Sequence, residues 1–241
     1  LHALLTGNPG TGKTTMARLL GKIYKALGLL ERGHVVEVDR EGLIAGYVGQ
    51  TASKTTAVID SAMGGILFID EAYALANKNS SNDFGNEAIQ VLLKRMEDER
   101  GNFGVIVAGY TENMHLFIES NPGFKSRFDK TFEFPDYSAT ELWNIMLNLL
   151  RKEGLMADEE AEKHLRNYLH VLYQNRDKFF GNARSVRQLV GEVVRKQNLR
   201  LASIPSDERK KSDLGVLNYE DVRHLEITQE GRNSLGFRFG N

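Results

Sequence analysis

The stretch Gly7-Asn8-Pro9-Gly10-Thr11-Gly12-Lys13-Thr14 constrains this chain more than any other. It fits G-x-x-x-x-G-K-[ST], the spacing of a phosphate-binding loop, or P-loop. An apolar run, Leu1 to Leu5, precedes it. The segment it opens places Met16, Leu19, Leu20, Ile23, Tyr24 and Leu27 at i, i+3, i+4, i+7 spacing. Strand, glycine-rich loop and helix in that order form the context in which the motif has meaning. The glycines let the backbone wrap an anion with no Cβ in the way, and successive N–H groups point inward. The helix N-terminus adds a dipole that favours negative charge. Asn8, Pro9, Gly10, Thr11, Gly12, Lys13, Thr14 and Thr15 are therefore expected to bind ATP. Lys13 supplies a point charge to the β- and γ-phosphates, and the Thr14 hydroxyl is a ligand for Mg²⁺.

A second motif completes that chemistry. Gly65-Ile66-Leu67-Phe68-Ile69 is an apolar strand ending in Asp70-Glu71. Asp70 is expected to hold Mg²⁺ and Glu71 to orient and polarise the attacking water. A glycosidase-type carboxylate pair is a poorer reading, because adjacent strand residues point to opposite faces and cannot flank one bond.

The first half alternates strands and helices. Strand-type runs are Leu1 to Thr6, His34 to Val38, Gly65 to Ile69, Phe103 to Ala108 and Lys130 to Phe134. Helical patterns lie after the P-loop, at about Ala52 to Ala62, and at about Asn86 to Glu99. This predicts an α/β fold, a P-loop NTPase αβα sandwich with a parallel five-stranded sheet. The texture changes after Pro135. Ser138 and Glu141 form a capping box, and helices follow to Gly154, from near Asp158, and from near Asn182. A small α-helical lid is expected over 136–205, after an ATPase domain over 1–135. Residues 206–241 read as a charged loop, a short helix near Tyr219 to Leu225, and a tail.

Composition removes other classes. The net charge of −1 gives no global field toward nucleic acid or an anionic membrane. With no cysteine, disulfides, thiolate metal sites and a cysteine nucleophile are excluded, and a cytoplasmic location is expected. The six histidines show no metal spacing, and no apolar run approaches the ~18 residues of a membrane span. Leu1 opens directly into a strand, so a domain of a longer protein is expected.

The P-loop form GNPGTGKT, the strand end ILFIDEAY, and the tracts AGYVGQT and ESNPGFKSRF together resemble AAA+ ATPases. More narrowly they resemble the CbbX/CfxQ group, which includes the red-type Rubisco activase and is similar to the stage V sporulation protein K group. The resemblance runs from Leu1 to about Ser203. It implies a homo-oligomeric ring, a hexamer, with ATP between subunits and a client protein, Rubisco among the candidates. It identifies Arg127 with the arginine finger that completes a neighbour's site; the plainer reading is a surface ion pair. It identifies Arg184 with the sensor-2 arginine of the lid, Arg187 being one turn later. Tyr47-Val48-Gly49 matches the pore loop that grips a threaded chain. Tyr110 or Thr111 stands where many relatives carry a polar sensor-1 residue. A nucleotide-switched scaffold in sporulation or secretion, without threading, is the alternative. A nucleic-acid loader is disfavoured by the near-neutral charge.

Overall fold

The computed structural model describes residues 1–47, 49–76, 84–205 and 207–226. These form two compact units, Leu1–Pro135 and from Asp136 onward.

The first unit is built on five strands: β1 (Ala3–Gly7), β2 (Val35–Val38), β3 (Ile66–Ile69), β4 (Gly104–Gly109) and β5 (Thr131–Phe134). All pairings are parallel, in the order β2-β3-β4-β1-β5. Every residue of β3 and β4 is buried, because helices cover both faces and alternate side chains enter different cores. Leu67, Ile69, Val105 and Val107 face a core with Ile59, Leu92, Met114 and Phe117. Ile66, Phe68, Ile106 and Ala108 face the other way, against Ala17 and Leu30. Between the strands run α1 (Lys13–Ala26), α2 (Arg40–Leu43), α3 (Thr51–Ser61), α4 (Gly85–Asp98), α5 (Thr111–Glu119) and α6 (Pro122–Arg127), with a 3₁₀ turn at Ala72–Ala76.

Of the large apolar residues of α1, Met16, Leu20 and Tyr24 pack against the core as expected, and the others do not. Leu19, Ile23 and Leu27 are 48%, 40% and 67% exposed, and the residues turned fully inward are Ala17 and Gly21. Small size is the reason. A Cβ on Gly21 would collide with the Gly33 carbonyl, so the helix approaches the neighbouring backbone more closely than a leucine would allow. Three helices of this unit escaped the sequence reading: the short α2, α5 and α6. Asn121 caps α6 by accepting from Gly123 N at 2.8 Å, and Pro122 takes its first position. Phe117 and Phe124 pack with ring centroids 4.4 Å apart. Of the four phenylalanines from 124 to 134, Phe132 is 44% exposed.

His2 precedes β1. Its Nδ1 accepts from Val105 N at 3.0 Å, and its ring meets Phe103 and Phe128 edge-on, each at 6.3 Å. Burial first, then the amino terminus and Arg127, push its pKa from 6.5 down to about 4. The unfolded chain therefore binds the extra proton in that window, and folding stability is full above pH 6.5 and lost as pH falls toward 4. His2→Gln keeps an acceptor for Val105 N–H and does not titrate. Urea denaturation of the variant should show a flatter midpoint between those two pH values; an unchanged slope would clear His2.

The second unit contains α7 (Ala139–Lys152), α8 (Glu159–Gln174), α9 (Asn182–Ser203) and α10 (Tyr219–Val222). The Ser138–Glu141 capping box is formed, and Asp158 caps α8 by accepting from Ala161 N at 2.8 Å. Leu142, Met146, Leu150, Leu165, Leu169, Val186 and Val193 fill the core. The division expected at 205/206 is not a boundary here. Lys211–Gly215 is a 3₁₀ turn, and β7 (Val216–Leu217) pairs in parallel with β6 (Met156–Ala157). Leu217, Val222 and Leu225 are buried in the same core as the lid helices. Asp221, 1% exposed, accepts from Arg200 at 2.8 and 2.9 Å. Gln197 donates to the Leu214 and Val216 carbonyls. Asp207 to Lys210 are exposed, as a charged loop requires, while the residues that follow, from Leu214 to Asp221, are tied down by partners on α9. The expected tail beyond Glu226 lies outside the described residues.

Candidate active site

Because the sheet is parallel, the C-terminal ends of β1, β3 and β4 share one edge. The P-loop leaves β1 there, Asp70 follows β3, and Tyr110 follows β4. Ligands of open parallel sheets bind at that edge.

The loop is shaped by glycine. Gly7, Gly10 and Gly12 have φ of 141°, 72° and 100°. At Gly7 a Cβ would also collide with the Phe134 carbonyl of β5. Thr11 Oγ1 donates to the Asn8 carbonyl at 2.8 Å. Lys13 Nζ lies over the loop and donates to the carbonyls of Gly7 and Asn8, each at 2.8 Å. Gly12 stands before α1 and contributes no side-chain cap, so the first N–H groups of a 14-residue helix open onto the loop. An ammonium, a glycine cradle and a helix N-terminus fit a polyphosphate. Thr14 and Thr15 occupy the first turn of α1.

Asp70 N donates to the Val38 carbonyl at 2.9 Å, which continues the sheet by one residue. Asp70 Oδ1 accepts from Glu71 N at 3.0 Å. Glu71 has φ of 49°, a left-handed conformation unusual for a residue with a Cβ, and its side chain is exposed. The turn leaves an exposed carboxylate at the C-terminal end of β3, within reach of the Tyr73 hydroxyl.

One neighbour of this carboxylate was not singled out from the sequence. Tyr73, in the 3₁₀ turn, lies over the end of β4: a Cβ on Gly109 would collide with its ring and with Met114 sulfur. Burial first, then the proximity of Glu71 and Tyr110, pushes its phenol up to about 12. It stays protonated at neutral pH and is a hydrogen-bond donor beside a carboxylate. Tyr110 belongs to the same cluster, its ring 6.3 Å from that of Tyr73, and Thr111 begins α5. An aromatic two positions after Glu71, with a glycine ending the neighbouring strand, was the only sequence signal.

Arg127 is not brought to the P-loop. It ends α6, and its neighbours are residues at the opposite edge of the sheet. Phe128 touches His2, which precedes β1, and Arg127 lies close enough to depress the His2 pKa. The five residues of β1 separate His2 from the loop, about 16 Å at strand rise. Arg127 Nη2 donates to Glu97 Oε2 at 3.1 Å and Nη1 to the Gly123 carbonyl at 3.2 Å. Glu97 also accepts from Arg100 at 2.9 and 3.0 Å.

Tyr47 is 75% exposed between α2 and α3, and Gly49 has φ of 78°. Val48 lies outside the described residues. The base of this loop is held from α3: Lys54 Nζ donates to the Glu41 and Ile44 carbonyls at 2.6 and 2.9 Å. In the second unit, Arg184 and Arg187 are exposed on the first two turns of α9.

Comparison with known proteins shows the family. The family model described as ATPase family associated with various cellular activities (AAA) matches residues 3–136, and an AAA lid domain matches 138–232. Stage V sporulation protein K of Bacillus subtilis is 42% identical over 235 residues, 97% of this chain and 71% of that protein. Protein CbbX of Cereibacter sphaeroides is 41% identical over 234 residues, covering 97% and 75%. The chloroplastic ribulose bisphosphate carboxylase/oxygenase activase of Cyanidioschyzon merolae is 40% identical over 229 residues, covering 95% and 78%. Among solved structures, the FIGL-1 AAA domain in complex with ADP superposes with a TM-score of 0.60 at 20% identity, over 94% of this chain and 72% of that one, which shows the shared fold. With its glycine cradle, its lysine and its acidic strand end on one sheet edge, this chain belongs to the AAA+ ATPases, in the group of CbbX, CfxQ and stage V sporulation protein K, and its reaction is the hydrolysis of ATP.

Proposed function

We propose that this ATPase works as a ring in which each nucleotide site is completed by the next subunit, and that it remodels a protein client drawn to a central pore. The separation of Arg127 from its own P-loop carries the reading. An arginine fixed at the far edge of the sheet cannot serve the nucleotide of its own chain, and it is free to serve a neighbour's. In this reading Lys13 and the loop Asn8 to Thr15 hold the phosphates, Thr14 and Asp70 hold Mg²⁺, and Glu71 accepts the proton of the attacking water. Mg²⁺, when bound, neutralises phosphate charge. Arg184 is the residue that reports whether the γ-phosphate is present, and Tyr110 or Thr111 supplies the polar group after β4. The exposed Tyr47 offers a large apolar contact with little conformational entropy to lose, suited to gripping an extended chain of any sequence.

Red-type Rubisco, inhibited by a bound sugar phosphate, is the client we propose, because a named Rubisco activase stands among the relatives at 40% identity. The test is steady-state ATP turnover with and without that inhibited enzyme, together with recovery of carboxylase activity. Stimulation and recovery are expected. Tyr47→Ala should keep turnover without client and lose recovery, while full recovery in the variant would sink the threading step. Normal turnover with no response to Rubisco would favour a client or scaffold role nearer to the sporulation relative, 42% identical.

A further inference from the structure

We propose that Asn182 is a positioning residue for ATP hydrolysis, setting the placement of Arg184 by locking the chain that enters the second unit onto the start of α9. The inference rests on reading Arg184 as a nucleotide sensor. Asn182 is completely buried and has φ of 48°. Its amide is used in full. Oδ1 accepts from Tyr137 N at 2.9 Å. Nδ2 donates to Asp136 Oδ1 at 2.7 Å and to the Phe180 carbonyl at 3.1 Å. The second carboxylate oxygen of Asp136 faces Arg176 Nε at 3.6 Å. Two residues further on, Arg184 N donates to the Gly181 carbonyl at 2.9 Å. The first two residues of the unit, the 175–181 turn and the start of α9 are thereby one hydrogen-bonded body.

Few side chains could do this. The left-handed backbone favours Gly, Asn and Asp. Glycine has no side chain to bond. Aspartate has no donor for Phe180 and would set a second carboxylate against Asp136. Asparagine alone among the three supplies two donors and an acceptor at that reach. Half of such a network would be worse than none, since each buried group left unpaired carries its full desolvation cost. Asp136 and Tyr137 are thereby held to the start of α9, so Arg184 keeps its place relative to the chain that enters the unit.

The test is a double-mutant cycle on full-length protein, reading kcat, KM for ATP and the melting temperature. Asn182→Gly keeps the backbone conformation and deletes three hydrogen bonds. It is expected to raise KM about tenfold, a coupling of ordinary size. In an Arg184→Ala background the same change should add nothing. Asn182→Asp alone should be at least as damaging. The exchange Asp136→Asn with Asn182→Asp rebuilds the bond between the two side chains, with its direction reversed, but not the one to the Phe180 carbonyl, so it should recover part of the KM lost in Asn182→Asp alone. If Arg184→Ala by itself leaves KM and kcat unchanged, the sensor reading falls. If Arg184→Ala matters but Asn182→Gly has no effect, or adds its whole effect on top, the Asn182 inference falls alone. If Asn182→Gly unfolds the second unit, the exchange decides: a recovered melting transition without any recovery of KM overturns the proposal.

Discussion

Glu71→Gln is expected to lower ATP turnover by roughly 10²- to 10⁴-fold, the range for losing a positioned general base, while nucleotide binding persists. The amide keeps the size of the side chain and its backbone turn, so the left-handed conformation at φ 49° is not further strained. What disappears is the acceptor for the proton of water. The phosphate cradle is built by other residues, on β1 and α1, and does not include Glu71. Lys13→Ala should do the reverse, losing the ammonium that spans the loop and with it much of the affinity. Titration with a fluorescent ATP analogue, beside steady-state turnover, separates the two. Turnover of Glu71→Gln within about threefold of the parent would show that another group activates water, and Tyr73 with its neighbours would become the place to look.

Arg127→Ala is expected to cost on the order of 10³ in turnover, comparable to other arginine fingers, with ATP affinity of the isolated subunit little changed. The geometry adds a sharper expectation. If Arg127 serves the neighbour, subunits carrying Arg127→Ala mixed with subunits carrying Lys13→Ala should regain activity that neither has alone. In an equimolar ring of random order, about a quarter of interfaces pair an intact loop with an intact arginine. Recovery of turnover toward that fraction supports action between subunits. Absence of recovery, with mixed rings demonstrated by crosslinking, would return Arg127 to the plainer role of an ion pair with Glu97. If Arg127 serves a neighbour, breaking that pair is the first cost of assembly, since the guanidinium must exchange a carboxylate for a phosphate.

The parts of the site written contiguously were the parts legible in the sequence. A phosphate cradle needs several backbone amides in one turn, so its glycines, lysine and threonine must be neighbours in the chain. Asp70 and Glu71 were legible because an apolar strand that ends in carboxylates breaks its own pattern. Tyr73 was not, because its place depends on Gly109 at the end of another strand. Asn182 looked like one more polar residue near a helix start until its partners at Asp136 and Tyr137 were known. The α1 face was half legible: Met16, Leu20 and Tyr24 pack inward, while Leu19, Ile23 and Leu27 do not. Periodicity weighs large side chains, while Ala17 and Gly21 matter through what they lack. The segment after the charged loop was not assigned to the lid core because its apolar anchors, Leu217, Val222 and Leu225, are few and their partners lie on α7, α8 and α9.

The late anchors of the second unit have a bearing on synthesis. The first unit has its last strand at Phe134, whereas the second cannot close its core until Leu225 has emerged, about 90 residues later. At ribosomal rates of about 5–20 residues per second, that interval lasts roughly 5 to 18 s. For those seconds a nascent chain carries a finished phosphate cradle and an unfinished lid. Any stabilisation that ATP gives by mass action reaches the first unit alone, before Arg184 has a folded helix to stand on.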